Sequence, residues 1–147
     1  MKSYEYKEQL RLKKRKTKLP DVSLIIVDSR SGRIFDFKDD NLNYKKEIIS
    51  SFPGRVKSGG WSQMKIERHI KVHLFWHFKK IEKEMGKDRS AKKWLILGPD
   101  TVIRLFFSKL PQNLQQITKL KNINPKNQNT ETLRVAMSEA LYEKSDY

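Results

Sequence analysis

The chain has 147 residues, a length typical of one domain, and its 32 Lys and Arg against 17 Asp and Glu give a net charge of +15. Its longest apolar runs, residues 24–27 and 94–97, are far shorter than the roughly 18 residues that span a bilayer, and residues 1–20 lack the apolar segment of a signal peptide. The absence of cysteine excludes disulfides, thiolate metal sites and a cysteine nucleophile. These properties predict a cytoplasmic protein with no membrane segment and a polyanionic partner.

The positive charge lies mainly in two segments. Residues 1–20 carry a net charge of +6 and residues 53–93 a net charge of +8. The first segment contains Lys13, Lys14, Arg15 and Lys16, which indicate either a basic arm that binds phosphates or a solvated tail without a fixed partner. We therefore expect two regions, a basic N-terminal arm over residues 1–20 and a folded domain over residues 21–147.

The first predicted elements form a β-hairpin. Residues 22–27 are largely apolar and rich in β-branched side chains, residues 28–32 end in glycine, and residues 33–37 read Arg-Ile-Phe-Asp-Phe, which indicates a second strand. Residues 39–42 are expected to be a polar loop. Residues 50–60 hold Pro53 and three of the 6 glycines, which predicts a second loop.

A long amphipathic helix is predicted over residues 62–85. Its apolar residues recur every three or four positions, as a buried stripe requires. They are Ile66, Ile70, Leu74, Phe78, Ile81 and Met85. Basic residues lie on a different face, and Gly86 is predicted to end the helix.

The second half of the chain alternates between strands and helices. Residues 93–97 predict a strand, and Asp100 is expected to cap a helix that contains Val102, Leu105, Phe106 and Leu110. Residues 114–117 indicate a weaker helix, Ile123 a short strand, residues 125–129 a polar loop and residues 130–144 a final helix. The alternation predicts a single α/β domain in which helices pack on a mixed β-sheet.

The candidate site lies in the glycine-rich loop and the start of the long helix. Glycines let a backbone approach a ligand closely, and a helix N-terminus favours an anion or a developing oxyanion. The tip of the loop consists of Gly59, Gly60, Trp61, Ser62 and Gln63, and Ser62 is suited to be the N-cap of the helix. Basic residues flank this tip on both sides, at Arg55, Lys57, Lys65 and Arg68. Taken alone, the same residues also fit an ordinary glycine turn before a helix.

This segment resembles the middle domain of eukaryotic and archaeal class-1 translation release factors, and more closely the release-factor-like peptidyl-tRNA hydrolases of ribosome quality control. In the latter, a glycine, one variable residue and Ser-Gln form the tip, as Gly60-Trp61-Ser62-Gln63 do here. The resemblance covers about residues 22–141, but only residues 54–68 are motif-specific. The strict Gly-Gly-Gln tripeptide of termination factors is absent, so a stop-codon-dependent factor is not expected.

The resemblance implies hydrolysis of the ester between a nascent peptide and tRNA, without a metal or cofactor. The resemblance implies that the Gln63 backbone N–H donates a hydrogen bond to the transition-state oxygen and that its side chain positions the attacking water. It also implies that Gly59 and Gly60 let the loop enter a narrow catalytic centre. The basic residues around the loop would bind phosphates, and Trp61 would either stack on a base or anchor the loop. The resemblance also implies that the protein is a monomer and that its partners are peptidyl-tRNA, the large ribosomal subunit and ribosomal RNA.

Two other functions remain open from the sequence. One is a nuclease acting at the tRNA 3′ end, and the other is a non-catalytic module that binds RNA or the ribosome. His69, His73 and His77 recur every four residues, as metal ligands on a helix can. However, His69 and His77 diverge by roughly 80° around the helix axis, so we expect packing or RNA-facing roles and no metal site.

Overall fold

Five strands form one mixed β-sheet. The computed structural model of the chain describes residues 19–50, 63–88 and 91–142, and for residues 63–70 and Asn127 it describes the backbone only. The strands are β1 (Val22–Val27), β2 (Ser31–Lys38), β3 (Asn41–Ile49), β4 (Trp94–Gly98) and β5 (Thr118–Asn122), in the sheet order β3-β2-β1-β4-β5. Strand β2 pairs antiparallel with β1 and β3, whereas β4 pairs parallel with β1 and β5. This arrangement confirms the predicted α/β fold with a mixed sheet.

Four α-helices accompany this sheet in the described residues. They are α1 (Gln63–Lys87), α2 (Asp100–Lys109), α3 (Gln112–Gln115) and α4 (Thr130–Tyr142), with a short 3-10 turn at Pro125–Asn127. Within the described residues, no helix combines the length and the hydropathy that a membrane span requires.

The sheet buries both of its faces, which is why β1, apart from Ser23, and β4 are apolar. On one face α1 and α2 cover Ile25, Ile34 and Ile96, with Phe78 of α1 against Phe106 of α2 at a centroid distance of 5.1 Å. On the other face α4 covers Leu24 and Leu95. All side chains of β1 are buried, so the period-two pattern of a half-exposed strand is absent.

Strand β3 was not predicted, because its sequence does not alternate. It is an edge strand, and only Ile48 of its nine residues is buried. Lysines on an edge discourage pairing with another chain, and Lys45 and Lys46 occupy this one. The loop predicted at residues 39–42 is reduced to Asp39 and Asp40, whose φ angles of 50° and 63° form a two-residue hairpin turn.

Three predictions at element boundaries were wrong. Pro99 occupies the N-cap of α2 in place of Asp100, whose carboxylate accepts a hydrogen bond from Nε of Arg104 at 3.0 Å. Helix α1 continues through Gly86 to Lys87, and the short strand expected at Ile123 is β5, which ends one residue earlier.

Candidate functional site

Helix α1 is anchored to the sheet by its C-terminal half. Phe78, Ile81 and Met85 are buried against the sheet, as the apolar stripe predicts. Ile81 lies directly over Gly32 of β2, where an added Cβ would come within 2.6 Å of the Ile81 Cδ1 atom. The glycine therefore lets the helix lie close to the strand.

Ion pairs add to this anchoring at the edge of the sheet. Glu84 of α1 pairs with Lys87 at 2.9 Å and with Lys46 of β3 at 3.0 Å. The hydrogen bonds from Lys87 and Lys46 lower the pKa of the Glu84 carboxyl. Because the Lys46 and Lys87 side chains are 53% and 60% exposed, these pairs position α1 more than they stabilise the fold.

Gln63 is the first residue of α1, at the end opposite the anchor. It precedes His77, the first buried residue among the described side chains of the helix, by fourteen positions. At 1.5 Å per residue, the two lie about 21 Å apart along the axis. Of residues 71–76 only His73 and Leu74 are half-buried, so this stretch of α1 is largely exposed.

Most of the predicted site residues lie outside the described residues. These are Gly59, Gly60, Trp61, Ser62, Arg55, Lys57, Lys13, Lys14, Arg15 and Lys16. Lys65 and Arg68 lie in the first two turns of α1, beside Gln63, with only their backbone described. The helix as a whole has seven Lys and Arg and three Glu, a net charge of +4, and this places basic residues along its length.

His77 packs into the core rather than facing solvent. It is 1% exposed, and its Nε2 donates a hydrogen bond to the carbonyl oxygen of Asp28 at 3.0 Å, in the turn between β1 and β2. Since a carbonyl only accepts, the proton of the neutral ring lies on Nε2. Its buried Nδ1 has no partner among the described residues. Burial lowers the pKa of His77 below its ordinary value of 6.5, although nearby backbone carbonyls oppose the shift.

This lowered pKa predicts that the protein loses stability in mild acid. Above pH 6.5 the ring is neutral in both states, whereas below it the unfolded chain binds a proton that the folded chain resists. The free energy of unfolding should therefore fall between about pH 7.5 and about pH 5.5, by at most about 1.4 kcal/mol per pH unit. Urea denaturation of wild type and His77→Gln, which keeps a donor but does not titrate, measures this. Equal acid dependence in the two proteins would contradict the assignment.

The described residues hold no group of three or more His, Cys, Asp or Glu placed to bind a metal ion. A cavity of about 370 Å³ is lined by Ser23, Asp36 and Asp88, among others, and Lys45 lies 3.4 Å from Asp36 and 3.7 Å from Asp88. Asp88 follows the last residue of α1, so this cavity lies about 36 Å along the helix axis from Gln63. The polar cluster is therefore not part of the candidate site.

Two aromatic residues of α1 lie on its solvent-facing side. Phe75 and Trp76 are 43% and 56% exposed. For Trp76 the helical phase explains this, because it precedes the buried Phe78 by two residues and so lies about 160° from it around the helix axis. Packing in the core therefore does not explain why α1 carries aromatic side chains at these two positions.

The chain matches the family model described as bacterial archaeo-eukaryotic release factor family 10 over residues 18–137. No curated protein matches it. Among solved structures, the archaeal translation termination factor aRF1 matches with a TM-score of 0.54 and 17% identity, covering 78% of this chain and 36% of that chain. Archaeoglobus fulgidus Pelota matches with a TM-score of 0.54 and 7% identity, covering 95% of this chain and 38% of that chain.

The chain thus spans less than two fifths of either solved protein, and at these identities the likeness concerns the fold. The family match covers most of the chain, including the glycine-rich loop, the start of α1 and the whole sheet. The resemblance read from residues 54–68 is confirmed at the level of the family. The chain belongs to bacterial archaeo-eukaryotic release factor family 10, and it is a release-factor-like α/β domain.

Proposed function

We propose that this chain acts in translation as a codon-independent peptidyl-tRNA hydrolase, releasing nascent peptides from ribosomes or stalled large subunits. The observation that carries the proposal is the family match over residues 18–137, a range that includes Gly60-Trp61-Ser62-Gln63, the segment that resembles the tip of release-factor-like hydrolases. Residues 21–147 would form the hydrolase domain, and residues 1–20 a basic arm. The protein would act as a monomer in the cytoplasm.

The position of Gln63 supports this role. A helix fixed to the sheet by Phe78, Ile81 and Met85 would carry its first residue well away from the folded body. Such a projecting tip suits a reaction centre enclosed by RNA, which a compact protein surface could not enter. The N-terminal end of a helix also favours a developing negative charge.

The chemistry needs few protein groups. Water attacks the ester carbonyl carbon, an oxyanion forms, and the bond to the 3′-oxygen of the terminal adenosine breaks as that oxygen gains a proton. The Gln63 backbone N–H would stabilise the oxyanion, and its side chain would orient the water and exclude larger nucleophiles. The neighbouring 2′-hydroxyl of the substrate would assist proton transfer.

The basic residues would supply affinity. Arg55, Lys57, Lys65 and Arg68 flank the tip and would bind phosphates of the tRNA acceptor end or of ribosomal RNA, without reading sequence. Trp61 would stack on a base or anchor the loop. Lys13, Lys14, Arg15 and Lys16 would add a second basic contact to RNA.

A product assay tests the proposal. Large ribosomal subunits carrying labelled peptidyl-tRNA are incubated with the chain or with buffer, and a gel resolves freed peptide, intact tRNA and tRNA shortened at its 3′ end. We expect freed peptide and intact tRNA with the chain, and intact peptidyl-tRNA with buffer.

The other two outcomes identify the alternatives. Shortened tRNA would assign the chain as a nuclease acting at the tRNA 3′ end. Unchanged peptidyl-tRNA, with the chain still bound to the subunit in a sedimentation assay, would assign a non-catalytic ribosome-binding module. Either result would overturn the hydrolase proposal.

A further inference from the structure

The exposed side of α1 combines aromatic and cationic side chains on one face. The α1 outer face consists of Val72, Phe75, Trp76, Lys79, Lys80 and Lys83. At about 100° per residue, these six positions fall within an arc of about 140°, on the side of the helix opposite the buried Ile81. Val72, Phe75 and Trp76 are 52%, 43% and 56% exposed, so the core does not use them.

The geometry of the two rings leaves Trp76 as the available platform. Phe75 and Trp76 pack edge to face, with centroids 5.5 Å apart and an interplanar angle of 74°. The Lys79 ammonium lies 5.6 Å from the Phe75 centroid and so covers that ring. An edge-to-face contact covers at most one face of a ring, and the indole, at 56% exposed, is the more accessible of the two rings.

The charges of this face favour an anionic occupant. Glu82 pairs with Lys79 at 3.3 Å, whereas Lys80 and Lys83 form no ion pair with any carboxylate of the described residues. Protein interfaces are depleted in lysine at their centres, while surfaces that bind single-stranded RNA interleave aromatic side chains with cations. The net charge of +15 agrees with the second kind of surface.

We propose that the α1 outer face is an RNA-binding surface, on which an unpaired base stacks against Trp76 while Lys80, Lys83 and Lys79 bind neighbouring phosphates. This surface is separate from the candidate site, since Trp76 lies thirteen residues, about 20 Å along the axis, from Gln63. The inference rests on the proposed function only in taking RNA as the ligand. A helix bound to RNA along this face would be held firmly while its tip reaches the ester.

Binding of a short fluorescent single-stranded RNA of mixed sequence to the whole chain tests the surface, without ribosomes or peptidyl-tRNA. Trp76→Ala should weaken binding about tenfold or more, and Trp76→Phe by less, because a smaller ring still stacks. The slope of log affinity against log salt should stay unchanged in both variants. The triple variant Lys79→Gln, Lys80→Gln, Lys83→Gln should flatten it by about 0.7 for each phosphate that the protein no longer neutralises.

Two controls separate stacking from charge and from folding. Tyr44→Ala removes an aromatic side chain that is 58% exposed on β3, and it should bind RNA as wild type does. RNA of the same length without bases should bind wild type and Trp76→Ala equally. Both Trp76 variants should melt at the temperature of wild type, which shows that they are folded. If they then bind the base-containing RNA as tightly as wild type does, the RNA-binding proposal is refuted. The α1 outer face would then serve another class of partner, such as a protein. Unchanged RNA binding by the Trp76 variants would contradict the RNA-binding surface but not the peptide-release proposal, so each proposal can fail without the other.

Discussion

Replacing Gln63 with alanine is expected to slow peptide release about 100-fold or more, while affinity for the large ribosomal subunit stays within about twofold of wild type. The variant keeps the backbone N–H and suits a helix start, but it loses the group that orients water. The loss of an interaction made only in the transition state lowers turnover without weakening binding. Single-turnover release of labelled peptide, together with subunit cosedimentation, separates the two quantities.

Gln112→Ala is the matched control for this prediction. Gln112 is also the first residue of a helix, α3, and is exposed, so its removal should leave release unchanged. Release at the wild-type rate by Gln63→Ala would remove Gln63 from the reaction. An equal loss of binding and turnover would make it an RNA-binding residue instead.

Replacing Gly98 with alanine is expected to destabilise the fold by about 3 kcal/mol or more. Gly98 ends β4, where a Cβ would lie 2.1 Å from the carbonyl oxygen of Val27 and 3.1 Å from Ile103 Cγ2. The Val27 oxygen belongs to the backbone of the neighbouring strand β1, so it cannot move aside as a flexible side chain does. Gly98 also accepts a hydrogen bond from the N–H of Ile123 at 2.9 Å, which ties this strand end to the segment after β5.

Urea denaturation followed by circular dichroism measures the loss. Gly86→Ala is the matched control, because a Cβ there meets nothing within 4 Å and alanine favours the helix that contains it. We expect Gly86→Ala to be as stable as wild type or more stable, by up to about 1 kcal/mol. Equal stability of Gly98→Ala and wild type would show that β1 and β4 are not closely packed at this strand end.

The parts of the fold that the sequence predicts are those whose burial produces a regular pattern. Strand β1 is apolar because both of its faces are covered, and α1 shows its stripe because one side packs on the sheet. Strands β3 and β5 have no such pattern. They are the two edges of the sheet, and with one buried residue in β3 and none in β5 their sequences resemble loops.

In the candidate site too, some features could be predicted from the sequence and others could not. Gln63 could be proposed because a local motif is readable over a few consecutive residues, and its place at the start of a long helix follows from periodicity. The exposure of Trp76 also follows from helical phase, once the buried stripe is known. The hydrogen bond of His77 to Asp28 could not be predicted, because it joins residues 49 positions apart through the packing of α1 on a turn.

The proposed reaction requires that water cleaves the peptidyl-tRNA ester at its carbonyl carbon. The most direct measurement is mass spectrometry of the peptide released by the chain from large subunits in water enriched in heavy oxygen. We expect a free peptide that carries one heavy oxygen in its terminal carboxylate, together with tRNA that keeps its terminal adenosine. A released peptide that still carries adenosine or a longer 3′ fragment, with no heavy oxygen in its ester, would contradict hydrolysis at the carbonyl carbon.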